Sequence, residues 1–140
     1  MNKDHIIFLI GRIHYKANKF LSQELKNHQI DGLSPSHGEI LGSLMYRGPL
    51  SMTGIAKIMD KDKSTITALV RKLVKMGYVE QIKHHGDNRV TLIALTPKGA
   101  AFKPAFKLIA QKLRNQSYKG ISDGERELLV DLLAEIDANL

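Results

Sequence analysis

Two short runs of alternating β-branched and polar residues, Val79 to Lys83 and Arg89 to Leu95, stand in a chain whose other apolar residues recur at helical spacing. The polar stretch His84-His85-Gly86-Asp87-Asn88 separates them, which makes the pair a hairpin. The fold class is therefore mainly α with a small β-hairpin. What precedes the hairpin narrows it further. Ser51 caps a short helix through Met59 whose inner side is Ile55, Ala56 and Ile58 or Met59, and Asp60-Lys61-Asp62 forms a tight polar turn. A longer helix follows from Lys63 to about Met76, capped by Asp62 and closed by Gly77, with Ile66, Leu69, Val70 and Leu73 as its apolar face. Helix, tight turn, helix and hairpin in succession is the helix-turn-helix plan with a wing attached.

The flanking segments are helical. Ile6, Ile10, Ile13, Ala17, Phe20 or Leu21, and Leu25 make one apolar stripe of a long helix that must end by Gly32. Ser34-Pro35 is an N-cap followed by a proline at the first helical position. That helix buries Ile40, Leu41, Leu44 and Met45 and stops at Arg47-Gly48-Pro49. Thr96-Pro97 repeats the signal and opens a helix with the stripe Phe102, Phe106, Ile109 and Leu113, in which Pro104 predicts a kink or an early break before the close at Lys119-Gly120. Ser122 with Glu125 is a capping box, and Leu128, Leu129, Leu132, Leu133, Ile136 and Leu140 carry an apolar stripe onward from it.

Charge limits what such a module can meet. The formal net charge of +7 favours a polyanionic partner, nucleic acid or an anionic surface. Every hydrophobic stretch is interrupted by Lys, Arg, His or Asp before the roughly 20 residues a bilayer requires, and the patch Ile6 to Ile10 runs straight into Gly11-Arg12 with no cleavage signal. A cytoplasmic location is the expectation. The absence of cysteine removes disulfides, thiolate metal sites and thiol redox sensing. Between Thr96 and Ser122 the charges are all basic, whereas from Asp123 onward six acids face a single Arg126. The two segments either pair, within or between chains, or present two solvated faces of opposite sign.

A helix that enters the major groove needs short polar side chains and cations at its leading end. Asp62-Lys63-Ser64-Thr65-Ile66-Thr67 has that character, with Arg71 and Lys72 a turn further on, near the groove wall. Taken alone, these residues also describe a capped, solvated first turn. A wing that reaches a minor groove needs a cation, and Arg89 supplies it; Asp87 can hold its guanidinium extended through a charge-assisted pair. Alone, that pair describes an ordinary surface hairpin.

Leu33-Ser34-Pro35, Asp62-Lys63-Ser64-Thr65-Ile66-Thr67, Leu73, Gly77-Tyr78-Val79-Glu80, Asp87-Asn88-Arg89 and Leu95-Thr96-Pro97-Lys98-Gly99 together resemble the MarR family of regulators. The resemblance implies a homodimer whose outer helices, residues 6–33 and 97–140, intertwine, while residues 34–96 form a winged helix-turn-helix lobe on each half of a pseudo-palindromic operator. It also implies that an aromatic acid or phenol binds between the dimer helices and the lobe and releases DNA. His14, His37 and Tyr46, with Glu39 nearby, are the candidates for that pocket. Two departures stand out. Gly54 occupies the position that would complete a capping box with Ser51, and Asp60-Lys61 replaces the usual Gly and aliphatic residue in the turn, so Lys61 should point outward.

The six histidines, His5, His14, His28, His37, His84 and His85, show no metal-ligand spacing, and His84-His85-Asp87 at the wing tip suit phosphate contact better than a metal. No nucleophile, base and orienter gather, and no glycine-rich phosphate loop follows a strand, so neither catalysis nor a cofactor is expected. The expected function is a sequence-specific DNA-binding transcriptional regulator, a repressor in preference to an activator. DNA contacts would come from Lys63, Ser64, Thr65, Thr67, Arg71 and Arg89, with Asp87 in support. A winged-helix module that binds protein or anionic surfaces without an operator is the alternative.

Overall fold

The computed structural model describes residues 2–140. After a single 3-10 turn at Lys3–His5, seven helices and three strands follow: α1 (Ile6–Asn27), α2 (Pro35–Arg47), β1 (Leu50–Ser51), α3 (Met52–Met59), α4 (Lys63–Lys75), β2 (Val79–His84), β3 (Asp87–Leu95), α5 (Pro97–Ala100), α6 (Lys103–Ser117) and α7 (Asp123–Asn139). Among these residues no helix is long and apolar enough to cross a membrane.

The boundaries follow the capping chemistry of the sequence. Ser34, Ser51, Asp62, Thr96 and Ser122 each accept a hydrogen bond from the backbone N–H three residues on, satisfying a donor that the first helical turn leaves open. Ser122 and Glu125 close a full capping box. At α3 the Ser51 hydroxyl accepts from Gly54 N–H, and Gly54 has no side chain to return the bond. Asp60 ends α3 in the left-handed region at φ 50°, a conformation that aspartate tolerates better than most residues, and Lys61 beside it is exposed. Pro104 breaks the helix expected from Thr96 onward: α5 is one turn, and Pro104 sits in the first turn of α6, where its missing N–H removes no helical bond.

The sheet differs from the expected hairpin in two ways. Its strands run through most of the presumed tip, leaving His85-Gly86 as the turn, because a register shift between Lys83 and His84 lets His84 pair with Asp87. The two residues of β1 add a third strand, Leu50 against Ile93 and Ser51 against Leu92, in the order β1-β3-β2.

The main core joins α2, α3, α4 and the sheet through Ile40, Leu41, Ile55, Ile66, Val70, Leu73 and Ile93, all at or near full burial. Each such side chain contributes on the order of 1.5–3 kcal/mol by leaving water. A smaller cluster of Leu25, Ile30 and Ile109 joins α1 to α6, and Leu33, Phe102 and Phe106 pack against both clusters. Lys112 on α6 reinforces this joint with a 2.6 Å ion pair to the buried Glu24 of α1. Helix α7 buries nothing: Leu128, Leu129, Leu132 and Leu133 lie open, as do Ile6, Ile7, Phe8 and Ile13 of α1. Among the described residues no ion pair joins the basic α6 to the acidic α7.

Candidate nucleic-acid interface and adjoining cavity

Helix α4 is fixed at both ends. Asp62 accepts the Thr65 N–H at 2.7 Å and the Ser64 hydroxyl at 2.9 Å, and hydrogen bonding by Thr65 first and Ser64 after it pulls its carboxyl down from 3.8 to about 2. At the other end Gly77, at φ 82°, turns the chain, and Lys98 donates to the Met76 carbonyl at 2.9 Å while its ammonium stands 4.8 Å from the Tyr78 ring centre. The Thr96 hydroxyl donates to the Gly77 carbonyl, tying this corner to the start of α5.

The depressed Asp62 carboxyl sets an acid limit. Its contribution to stability is complete above the ordinary carboxylate value of 3.8 and is lost as pH falls toward about 2. Asp62→Asn, which caps without titrating, should leave neutral-pH stability nearly unchanged and flatten the acid loss relative to the parent across that window. Parallel thermal melts as a function of pH measure the difference; identical slopes would contradict it.

At about 100° per residue, the face of α4 opposite the buried Ile66, Val70 and Leu73 is Ser64, Ala68, Arg71 and Lys75, and all four are exposed. Of the expected contact residues, Ser64 and Arg71 stand on this face and Thr65 flanks it, while Lys63, the first residue of the helix, is exposed but lies round toward the buried stripe. Thr67 is half-buried at its edge, and its hydroxyl donates to the Lys63 carbonyl at 2.7 Å, leaving it only acceptor capacity outward. Ala68 and Lys75 were not among the expected residues. The spacing of the buried stripe alone would have marked them, since Ala68 is one turn beyond Ser64 and Lys75 one turn beyond Arg71. A methyl at Ala68 has the chemistry to pack on a thymine methyl.

On the wing, Asp87 and Arg89 form a forked pair: Arg89 Nε donates to Oδ1 at 3.1 Å and Nη2 to Oδ2 at 3.3 Å, while the Arg89 N–H also donates to Oδ1. Hydrogen bonds from Arg89 hold the Asp87 carboxyl below its ordinary value. The arginine side chain is 91% exposed, so the pair orients the guanidinium without burying it.

A cavity of about 390 Å³ opens between α1, α2 and α6, lined by His14, Leu21, Glu39, Phe106 and Ile109 among others. His14 is at its wall; His37 and Tyr46, also expected there, are not. The His37 ring turns back onto its own helix start, where Nδ1 accepts from the Ser34 N–H and hydroxyl, and it is buried. Burial, then the Lys72 charge, lowers its pKa from 6.5. Tyr46 is 88% exposed, two turns beyond Glu39 on α2. Among the described residues no group of three His, Cys, Asp or Glu has metal-binding geometry.

Comparison with known proteins places this architecture. A family model described as MarR family matches residues 33–91. The HTH-type transcriptional regulator SarZ of Staphylococcus haemolyticus is 35% identical over 136 residues, 97% of this chain and 89% of that protein. The multiple antibiotic resistance protein MarR of Salmonella typhimurium is 26% identical over 136 residues, 93% of this chain and 92% of that one. In fold, the chain is similar to the MepR protein of an S. aureus MepR–DNA complex, with a TM-score of 0.83 at 21% identity, covering 100% of this chain and 99% of the other.

Proposed function

The chain belongs to the MarR family of transcriptional regulators, and we propose that it acts in the cytoplasm as a homodimeric, non-catalytic, ligand-responsive repressor on a pseudo-palindromic operator. The observation that carries this reading is that one rigid lobe presents both a capped helix with an exposed Ser64-Ala68-Arg71-Lys75 face and a wing with a pre-oriented, exposed Arg89. Helix α4 then reads base edges in the major groove, with Lys63, Ser64, Thr65, Thr67 and Arg71 contacting bases or the groove wall. Arg89 enters the flanking minor groove, where groove width and negative potential favour arginine. Residues 34–96 serve as the DNA-binding lobe and residues 6–33 and 97–140 as the dimer arm. A dimer supplies the cover that the open apolar residues of α1 and α7 lack, and it sets two lobes about one helical turn, roughly 34 Å, apart.

The cavity lies where an effector would act on the lobe. Phe106 on its wall stacks against Phe102 at 6.2 Å, and Phe102 packs on Tyr78 at 4.9 Å, just past the end of α4. A ligand that displaces Phe106 therefore presses on the corner that fixes the reading helix.

Two measurements test this. Sedimentation velocity should give a dimer at micromolar concentration, and a stable monomer would contradict the arm assignment. Gel shifts on promoter-derived and random duplex across a salt series should show a specific complex that survives at salt where random duplex is released. Parallel loss of both would leave only an electrostatic surface.

A further inference from the structure

Over its first turns the outward face of α4 carries no side chain longer than that of threonine. Ser64, Thr65 and Ala68 are exposed, Thr67 is half-buried at the edge, and Ile66 and Val70 are buried. Two of the three hydroxyls already have partners. Ser64 donates to Asp62 Oδ1 at 2.9 Å and Thr67 to the Lys63 carbonyl at 2.7 Å, so each turns only acceptor capacity outward. Guanine shows two acceptors, O6 and N7, in the major groove, and neither hydroxyl in this state can meet them.

Arg71 is the first long side chain on that face, and it is exposed. Among the described residues it enters no ion pair and stands over no aromatic ring. A long helical side chain lies over the turn N-terminal to its own Cα. The residue there is Ala68, about 4.5 Å back along the axis and about 60° round the helix. A longer side chain at position 68 would fill that path, whereas a methyl leaves it open. The other cations of α4 do not compete for it. Lys72 is near enough to α2 for its charge to bear on His37, Lys63 lies round toward the buried stripe, and Lys75 stands about 10 Å beyond Ala68, in the last turn.

We propose that Ala68 determines the sequence preference of α4: the gap over its methyl admits the Arg71 guanidinium to a guanine in the major groove, and the methyl itself packs on the 5-methyl of a neighbouring thymine. Each half-site then holds a G·C pair read by Arg71 beside a T·A pair read by Ala68. This inference rests on the reading of the chain as an operator-binding regulator.

The test compares the duplexes selected from a randomised library by the full chain and by Ala68→Leu, Ala68→Ser, Arg71→Gln and the Ala68→Leu/Arg71→Gln pair. Anisotropy on single-base variants of the parent's duplex gives the affinities. Arg71→Gln should lose the preference for one guanine in each half-site roughly tenfold, a size within the range that one bidentate contact discriminates. Ala68→Leu keeps a strong helix former at an exposed position and should lose that guanine and the adjoining thymine together. Ala68→Ser keeps the gap without the apolar methyl, and should retain the guanine and lose the thymine. In the Arg71→Gln background Ala68→Leu should cost the guanine preference little more, because the path it blocks is no longer used. A fold defect would lower the melting temperature and weaken every duplex alike, and Ala68→Ser reads the thymine contact without the bulk of leucine. A guanine preference that survives Ala68→Leu or Arg71→Gln overturns the proposal. So does a uniform loss across all sequences in Arg71→Gln, the mark of a phosphate contact. A parent that selects a sequence which every variant still selects refutes this inference and leaves the regulator reading standing, whereas a parent that selects none refutes both.

Discussion

Gly99→Ala should lower the unfolding free energy by about 3 kcal/mol, the upper part of the range for an overpacked site. A Cβ at this position would drive into the Tyr78 carbonyl oxygen, reach 3.0 Å from the Tyr78 carbonyl carbon and 3.3 Å from Leu95 Cδ2. The first two obstacles are backbone, so no rotamer change relieves them. That carbonyl already accepts the Thr96 N–H at 3.1 Å, and Tyr78 is itself buried against Phe102, so moving the strand end would also disturb the corner where Lys98 and Thr96 hold the last turn of α4. Loss of operator affinity should therefore accompany loss of stability. Gly42→Ala is the contrast: it lies inside α2 with nothing within 4 Å of its Cβ and should stabilise the helix by roughly 0.5–1 kcal/mol. Urea unfolding of both variants measures the pair. A Gly99→Ala protein within about 0.5 kcal/mol of the parent, the ordinary scatter of surface substitutions, would contradict the close packing of α5 on the wing base.

Arg89→Ala should weaken operator binding on the order of 1–2 kcal/mol at each lobe, hence roughly 2–4 kcal/mol for a dimer whose wings act independently. The size follows from the geometry. The guanidinium is already held extended by Asp87, so little ordering entropy opposes its contact with DNA, and its 91% exposure means that truncation opens no hole in the fold. Melting temperature should stay level while affinity falls by a factor of tens or more. Asp87→Ala should produce a smaller loss in the same direction, since it frees the arginine without removing it. Fluorescence anisotropy with operator duplex at physiological salt reads both variants, and equal affinities for Arg89→Ala and parent would exclude the wing from the interface.

Most of the helical frame was legible because its punctuation is local. Ser34, Ser51, Asp62, Thr96 and Ser122 each announce a helix by a bond to the residue three positions on, and Pro104 announces a break, all within a single turn of chain. Strand β1 was not legible, since two residues carry no alternation and its pairing with Ile93 and Leu92 is made across more than forty positions. The wing strands came out longer than expected because the shift at Lys83 and His84 is a matter of register, which composition does not record. The polar lead of α4 is legible in sequence, whereas Ala68 carries no polar signal and only the helical face on which it sits marks it. His37 and Tyr46 are expected at the cavity from the family resemblance, through their place on α2. The direction of each side chain decided otherwise: one folds back to cap its own helix and the other faces solvent. The apolar stripe of α7 is legible as a pattern, but within one chain nothing covers it, and the proposed dimer is what would give it a partner.

On the proposed reading, each lobe reads sequence through α4 and positions itself through the wing, twice, on a two-fold site. Selection of bound duplexes from a randomised library at physiological salt tests this directly. The expected result is enrichment of a pseudo-palindrome whose half-sites lie about one helical turn apart, with A·T-rich steps beside each half-site where Arg89 would enter the minor groove. A bound pool with no enriched sequence, or a single unrepeated half-site, would contradict it.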